Sequence, residues 1–210
     1  SVRTANVRPA RRPRLPRAFP NGASMRVVIS GTHGSGKSTL LGDFVASHPE
    51  WHVLPDPYED IDAAADEPGA LLFAHQLGIA ASRLLEPAPG PVLAERGPLD
   101  FLAYLSAMQS LGRAIVDSEL IERGYELTAA AMHSVDLLVI LPLNRRDAIS
   151  IGESEDLELR DAMDIALLEY ADDSDLIGNA TVTEIAGDRD RRLLLLERAV
   201  REHRDASVAS

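Results

Sequence analysis

Short apolar runs alternate along this chain with longer segments in which apolar positions recur at helical spacing. Five of the runs fit buried strands, because each is rich in β-branched or aliphatic residues and is bounded by glycine, proline or polar residues. These runs are Arg26–Ser30, Trp51–Leu54, Val92–Ala94, Leu137–Leu141 and Ala180–Ile185. A short apolar run also fits a buried helix segment, and the run that begins at Trp51 is the one most open to that alternative.

The segments between these runs predict six helices. Their bounds are about Lys37–Ser47, Glu67–Glu86, Pro98–Gln109, Asp117–Ser134, 157–171 and Arg189–Arg204. Strands that alternate with helices in this way are typical of a parallel sheet covered by helices on both faces. The pattern therefore predicts an α/β protein.

Length and composition divide the chain into one domain and an N-terminal arm. With 210 residues, 45% of them hydrophobic, the chain can bury one substantial core. Residues 1–24 contain six arginines, four prolines and no acidic residue, a composition typical of a disordered segment. We therefore expect a disordered arm over 1–24 and one folded domain over 25–205. A basic tail that meets anionic surfaces is the alternative for the arm.

The charge and the missing residue types exclude several classes of function. The formal net charge is −12, which argues against a general nucleic-acid binder, since such proteins present a basic face. The chain has no cysteine, so disulfides, thiolate metal sites and thiol catalysis are excluded. No apolar run approaches the roughly 18 residues that are needed to span a bilayer. We expect a soluble cytoplasmic protein with no nucleic-acid or membrane partner, and a homodimer is left open.

The one lysine of the chain, Lys37, lies in a motif with a specific chemistry. Of the 21 lysine and arginine residues all the others are arginines. A compact ammonium nevertheless fits between phosphate oxygens better than a planar guanidinium does. The surrounding sequence matches the phosphate-binding pattern G-x-x-x-x-G-K-[ST], between a predicted strand and a predicted helix. The residues of the motif are Gly31, Thr32, His33, Gly34, Ser35, Gly36, Lys37, Ser38 and Thr39.

Each part of the motif has a reason in the chemistry of phosphate binding. Its glycines let successive backbone N–H groups turn inward around a phosphate, and the following helix directs the positive end of its dipole at the same anion. Lys37, a catalytic residue as well as a ligand, is expected between the β- and γ-phosphates. Ser38 offers a hydroxyl to Mg²⁺ and Thr39 assists the phosphates, whereas the His33 side chain is incidental. The motif predicts a nucleoside triphosphate site.

Three short motifs follow the loop, two at predicted strand ends and one on a helix. They are Asp56-Pro57, Phe73-Ala74-His75-Gln76 and Glu95-Arg96-Gly97. In this order they resemble the motifs of the deoxyribonucleoside kinases and, more loosely, of the wider nucleoside and nucleotide kinase group. The stretch from Glu95 to Asp100 also resembles bacterial P-loop ATPase or kinase domains. The resemblance covers about 26–200 and implies a three-layer α/β/α P-loop fold with a helical lid. It further implies a five-stranded parallel sheet in the order 2-3-1-4-5, and ATP with Mg²⁺ as cofactors.

The resemblance also assigns chemistry to the strand ends. Asp56 would be the general base that accepts a proton from the attacking hydroxyl; the family has glutamate here, so the shorter side chain must come closer or act through water. Glu95 would bind Mg²⁺ or its coordinated water together with Ser38. Arg96 would stabilise charge on the transferred phosphoryl group. The alternatives are that Asp56 only organises a proline turn and that Glu95 and Arg96 form an internal ion pair. Gly97 replaces the family's usual serine, which leaves the sub-family open.

Four residues are candidates for contact with the acceptor, three of them on the second and third predicted helices. Gln76 would read a base or an amide through its paired donor and acceptor groups. Tyr58, Phe73 and Tyr104 would supply apolar walls. Ordinary core or surface packing is the alternative for each of the four.

In the resemblance, the segment after the fourth strand is a mobile lid that brings arginines onto the phosphates and excludes water. Its candidate arginines are Arg145, Arg146 and Arg160. The segment also carries many acidic residues, so a solvated helix–loop–helix is the alternative, and a closed lid of this charge would favour a cationic acceptor. The stretch 186–189 resembles the loop that lies against adenine in this group.

Taken together, these features favour an ATP-dependent kinase that moves the γ-phosphate to a hydroxyl of a nucleoside or similar small molecule. A second interpretation keeps the fold and changes the acceptor to a nucleotide monophosphate, a nicotinamide riboside-like compound or an antibiotic-like natural product. A third is a nucleotide-dependent ATPase or switch that regulates a partner. A switch has no need of Asp56, whereas a kinase that lacks this carboxylate should lose turnover and still bind ATP.

Overall fold

A single parallel sheet organises the chain. The computed structural model describes residues 24–57, 69–113, 116–143 and 157–209. Within them the strands are β1 (Arg26–Ser30), β2 (His52–Leu54), β3 (Val92–Glu95), β4 (Leu137–Ile140) and β5 (Thr181–Glu184). The sheet order is β2-β3-β1-β4-β5, and every pairing is parallel. This confirms the predicted α/β fold and its strand order.

Helices fill the intervals between the strands. In the described residues they are α1 (Lys37–Ser47), α2 (Ala70–Leu85), α3 (Pro98–Ser110), α4 (Ser118–Met132), α5 (Leu157–Ala171), α6 (Ser174–Ile177) and α7 (Arg189–Val208). Six of them match predicted helices, although α7 continues four residues beyond Arg204. The short α6 was not predicted, because one helical turn has no periodicity to detect. Asp173 caps it by accepting hydrogen bonds from the backbone N–H groups of Asp175 and Leu176.

Alternate residues of the strands face opposite helical layers. Val27 and Ile29 pack with Phe44 of α1 and Leu196 of α7 in one hydrophobic cluster. Val28, which lies between them, belongs to a second cluster that includes side chains of α2, α3, α4, α5 and α6. All five side chains are fully buried, and each contributes about 1.5–3 kcal/mol through the water it excludes. The three-layer α/β/α arrangement follows from this alternation.

The pairing register brings the carboxyl ends of β1 and β3 together. Ile29 of β1 lies opposite Glu95 of β3 and, on its other side, opposite Val139 of β4. The Arg96 backbone N–H, just beyond β3, donates to the Ile29 carbonyl at 3.0 Å. The loop that leaves β1 and the acid that ends β3 therefore meet at one edge of the sheet, where ligands bind in open α/β folds.

Several predicted features lie outside the described residues. These are nearly all of the N-terminal arm, the acceptor candidate Tyr58 and the lid candidates Arg145 and Arg146. Arg160 is the lid candidate that the structure describes. Among the described residues, no helix is long and apolar enough to cross a bilayer.

Candidate active site

The loop between β1 and α1 has the backbone geometry of a phosphate cradle. Gly34 and Gly36 have φ values of 69° and 91°, in the left-handed region that strains any residue with a Cβ. Among the described residues, the buried hydroxyls of Thr32 and Ser35 have no hydrogen-bond partner. Buried polar atoms are rarely left in this state. An anion with several oxygens would supply the missing acceptors, so the loop fits a polyphosphate.

Lys37 lies folded against the loop. Its side chain is 4% exposed, and Nζ donates to the carbonyl oxygens of Gly31 at 2.9 Å and Thr32 at 2.7 Å. Burial, followed by the positive charge of Arg96, lowers the pKa of Lys37 to about 7. Two neutral carbonyls compensate a buried ammonium poorly, whereas phosphate oxygens would compensate it well.

Ser38 and Glu95 form a pair of oxygen ligands at the base of the loop. Ser38 Oγ donates to Glu95 Oε1 at 2.5 Å, and Glu95 is largely buried at the end of β3. Hard oxygen donors of this kind fit Mg²⁺, which takes one or two protein ligands and completes its shell with phosphate and water. In the part of the chain that the structure describes, no cluster of three or more histidines and acids forms an all-protein metal cage.

Asp56 and Arg96 form a buried ion pair beside this loop. Arg96 Nε donates to Asp56 Oδ2 at 2.8 Å, and both residues are less than 10% exposed. Burial alone would lower the pKa of Arg96, but the neighbouring Tyr104 and Asp56 outweigh it and raise that pKa, so the guanidinium stays charged. Arg96 is also the one non-glycine among the described residues with positive φ, at 64°. A strain of about 1–2 kcal/mol per such residue is common at functional sites.

Asp100 is a site residue that sequence analysis left without a role. Its fully buried carboxylate accepts hydrogen bonds from Ser30 Oγ (2.6 Å), from the Gly31 N–H (2.9 Å) and from the Gly97 N–H (3.0 Å). Burial raises the pKa of Asp100. The side chain thus ties the start of the phosphate loop to the turn after β3. A sequence signal existed, because Gly-Pro-x-Asp has proline and an acid at the positions that cap a helix.

Three of the four acceptor candidates lie in the described residues, two of them on α2 and one on α3. The rings of Phe73 and Tyr104 stack on each other, with centroids 4.7 Å apart and planes 9° apart. Arg96 lies over the Tyr104 ring at 5.6 Å. Gln76, one helical turn beyond Phe73, is 3% exposed, and its Oε1 has no hydrogen-bond partner among the described residues. The two rings therefore lie in contact with each other and do not form opposite walls of a cleft.

A cavity of about 250 Å³ opens beside the phosphate loop. Its walls are the loop, α1, the residues after β4, Arg160 of α5, and the turn from Gly187 into α7. Asp43 of α1 accepts a bidentate pair of hydrogen bonds from Arg189 at this wall. Arg192 of α7 also lines the cavity. The sequence alone indicates no role for Arg192, because no local pattern links α7 to the loop.

Comparison with known proteins supports the fold at low sequence identity. Neither a protein-family model nor a curated protein matches the chain. Among solved structures, deoxyadenosine kinase from M. mycoides has a TM-score of 0.66 at 16% identity, covering 85% of this chain and 100% of the kinase. Thymidylate kinase from Candida albicans has a TM-score of 0.60 at 14% identity, over 87% of this chain and 93% of that enzyme. A NadR protein in complex with NAD and AMP-PNP has a TM-score of 0.59 at 19% identity, over 86% of this chain and 49% of NadR. The chain therefore has the P-loop fold of nucleoside and nucleotide kinases.

Proposed function

We propose that the chain is an ATP-dependent phosphotransferase that moves the γ-phosphate of ATP to a hydroxyl of a nucleoside or similar small molecule. The observation that carries the proposal is one cluster of polar and charged side chains at the carboxyl ends of the strands. Lys37, the Ser38–Glu95 pair and the Asp56–Arg96 pair are linked there by hydrogen bonds or by electrostatic coupling. The similarity of the chain to solved structures of deoxyadenosine kinase and thymidylate kinase supports the proposal at the level of the fold.

The donor half of the reaction is assigned to the loop. Lys37 would exchange its two carbonyl partners for phosphate oxygens, which are better partners for a buried cation. Ser38 and Glu95 would hold Mg²⁺ through their oxygens. When bound, this ion supplies positive charge that offsets the charge on the β- and γ-phosphates.

The transfer half is assigned to the buried ion pair. Asp56 accepts the proton of the acceptor hydroxyl as that oxygen bonds to the γ-phosphorus. The bond from the γ-phosphorus to the bridging oxygen breaks, and ADP leaves with the electron pair. Arg96, held 2.8 Å from Asp56 and always charged, offsets negative charge that builds on the phosphoryl oxygens.

The acceptor is assigned to a planar ring compound that carries an N–H group. The buried side-chain carbonyl oxygen of Gln76 has no hydrogen-bond donor among the described residues, so an N–H group of the acceptor would supply one. The stacked rings of Phe73 and Tyr104 would supply an aromatic surface for a planar ring. A nicotinamide riboside-like compound is the second candidate, because a NadR structure in complex with NR is among the neighbours, with a TM-score of 0.61 at 18% identity. A nucleotide monophosphate or an antibiotic-like natural product is also open as an acceptor.

A screen for ADP release over nucleosides, nucleotides and other hydroxyl compounds tests the proposal, and Asp56→Asn sharpens it. We expect acceptor-dependent turnover to fall about 100-fold or more in this variant, because the general base is lost. ATP affinity, measured by calorimetry, should change by no more than about threefold. Asp172→Asn, at an exposed position, is the matched control and should behave as the wild type.

The opposite outcome identifies a different class of protein. An ATPase or switch would hydrolyse ATP at the same rate with every acceptor, and Asp56→Asn would leave that rate unchanged. Because the substitution leaves a buried arginine without its carboxylate partner, thermal unfolding of the variant should be recorded alongside. A loss of turnover in a variant that still binds ATP separates chemistry from misfolding.

A further inference from the structure

Arg192 reaches the phosphate loop from a helix at the far end of the chain. Its Nη1 donates to the Ser35 carbonyl oxygen at 2.7 Å, across 157 positions of sequence. A Cβ on Gly36 would lie 2.9 Å from the same nitrogen. The guanidinium therefore lies so close to the loop backbone that it would have to move if residue 36 carried a side chain.

The contact between Arg192 and the Ser35 carbonyl also fixes the direction of the next backbone N–H group. The bond between Ser35 and Gly36 is trans, as are all peptide bonds in the described residues. In a planar trans peptide, the C=O of one residue and the N–H of the next point in opposite directions. Because Arg192 holds the Ser35 carbonyl towards α7, the Gly36 N–H is directed away from α7.

The charges around the cavity favour the binding of an anion. The chain has a net charge of −12, yet Arg160, Arg189 and Arg192 all line this one cavity. Of the two acids that also line it, Asp43 pairs with Arg189 and Asp188 caps the first turn of α7. The cavity is thus locally positive in an acidic protein, as an anionic ligand requires.

We propose that Arg192 is a positioning residue of the donor site. It fixes the Ser35–Gly36 peptide so that the Gly36 N–H is presented to a polyphosphate, and its charge adds to that of Lys37 at the loop. The inference rests on the donor half of the proposed function. It does not depend on which acceptor is used or on whether transfer occurs.

Binding of inorganic tripolyphosphate and of ATP, both without an acceptor, tests this assignment. We expect Arg192→Ala to weaken both ligands about tenfold or more, the scale of a lost hydrogen bond to a charged group. Arg198→Ala removes an exposed arginine from the same helix and should bind both ligands as the wild type does. Arg192→Lys restores a charged donor and should bind at least threefold more tightly than Arg192→Ala.

The amide resonance of Gly36 supplies a second measurement that a merely structural role would not move. In the wild type, its proton should shift downfield when tripolyphosphate binds, and in Arg192→Ala this shift should shrink. Unchanged affinity in Arg192→Ala would overturn the inference, and so would weakened binding with the full Gly36 shift. If the wild type binds tripolyphosphate but transfers phosphate to no acceptor, the proposed function fails and this inference stands. If the wild type binds neither ligand, both fail.

Discussion

At the scale of single residues, the site depends on close contacts that leave no room for ordinary side chains. Gly97 shows this most directly, because a Cβ there would lie 2.9 Å from Cγ1 of the fully buried Val28. The serine that the resemblance leads one to expect at this position therefore does not fit beside the valine of β1. The departure from the family pattern at Gly97 is explained by packing between β1 and the turn after β3.

Gly97→Ser should lower the free energy of unfolding by about 1–3 kcal/mol, the usual cost of overpacking a core. Val28→Ala in the same chain removes the obstructing methyl groups. The loss in the double variant should be smaller than the sum of the two single losses. Urea unfolding of the four proteins measures this coupling. A Gly97→Ser protein as stable as the wild type would show that the contact relaxes without cost.

At the scale of elements, local patterns predicted the sheet and most helices, because each apolar run is short and ends at glycine, proline or a polar residue. The phosphate loop was predicted from its glycines and Lys37, because the residues that determine phosphate binding are consecutive in the sequence. The links between elements could not be predicted in this way. Asp100 meets Ser30 across 70 positions, and Arg192 meets Ser35 across 157. Only the folded chain brings these residues together.

Asp100→Asn tests the strongest of these links. The carboxylate accepts from backbone N–H groups on both of its oxygens, and an amide can accept on only one side while its NH₂ faces a donor. We expect a loss of about 1–3 kcal/mol in the free energy of unfolding. Ser30→Ala, which removes one donor and leaves the two backbone contacts, should cost less. Equal losses in guanidinium unfolding would mean that the backbone contacts contribute nothing.

At the scale of the whole molecule, the N-terminal arm and the rest of the chain carry net charges of opposite sign. The first 24 residues carry six arginines and no acid, whereas the whole chain has a net charge of −12, so the remaining residues are more acidic than the chain as a whole. The arginine- and proline-rich composition of the arm predicts a segment that takes no part in the folded domain. The fold and the donor site should therefore not need the arm.

A chain that begins at Met25 should unfold within about 2 °C of the full chain, because a terminal segment whose composition predicts disorder adds little to stability. Its ATP affinity should match the full chain within about twofold at 0.15 M salt, where a Debye length of about 8 Å screens distant charge. At 0.01 M salt the length is about 30 Å, and the more acidic truncated chain should bind ATP more weakly. Calorimetry at both salt concentrations measures the difference. If the truncated chain is less stable, or binds ATP more weakly at both concentrations, the arm belongs to the folded domain or to the donor site.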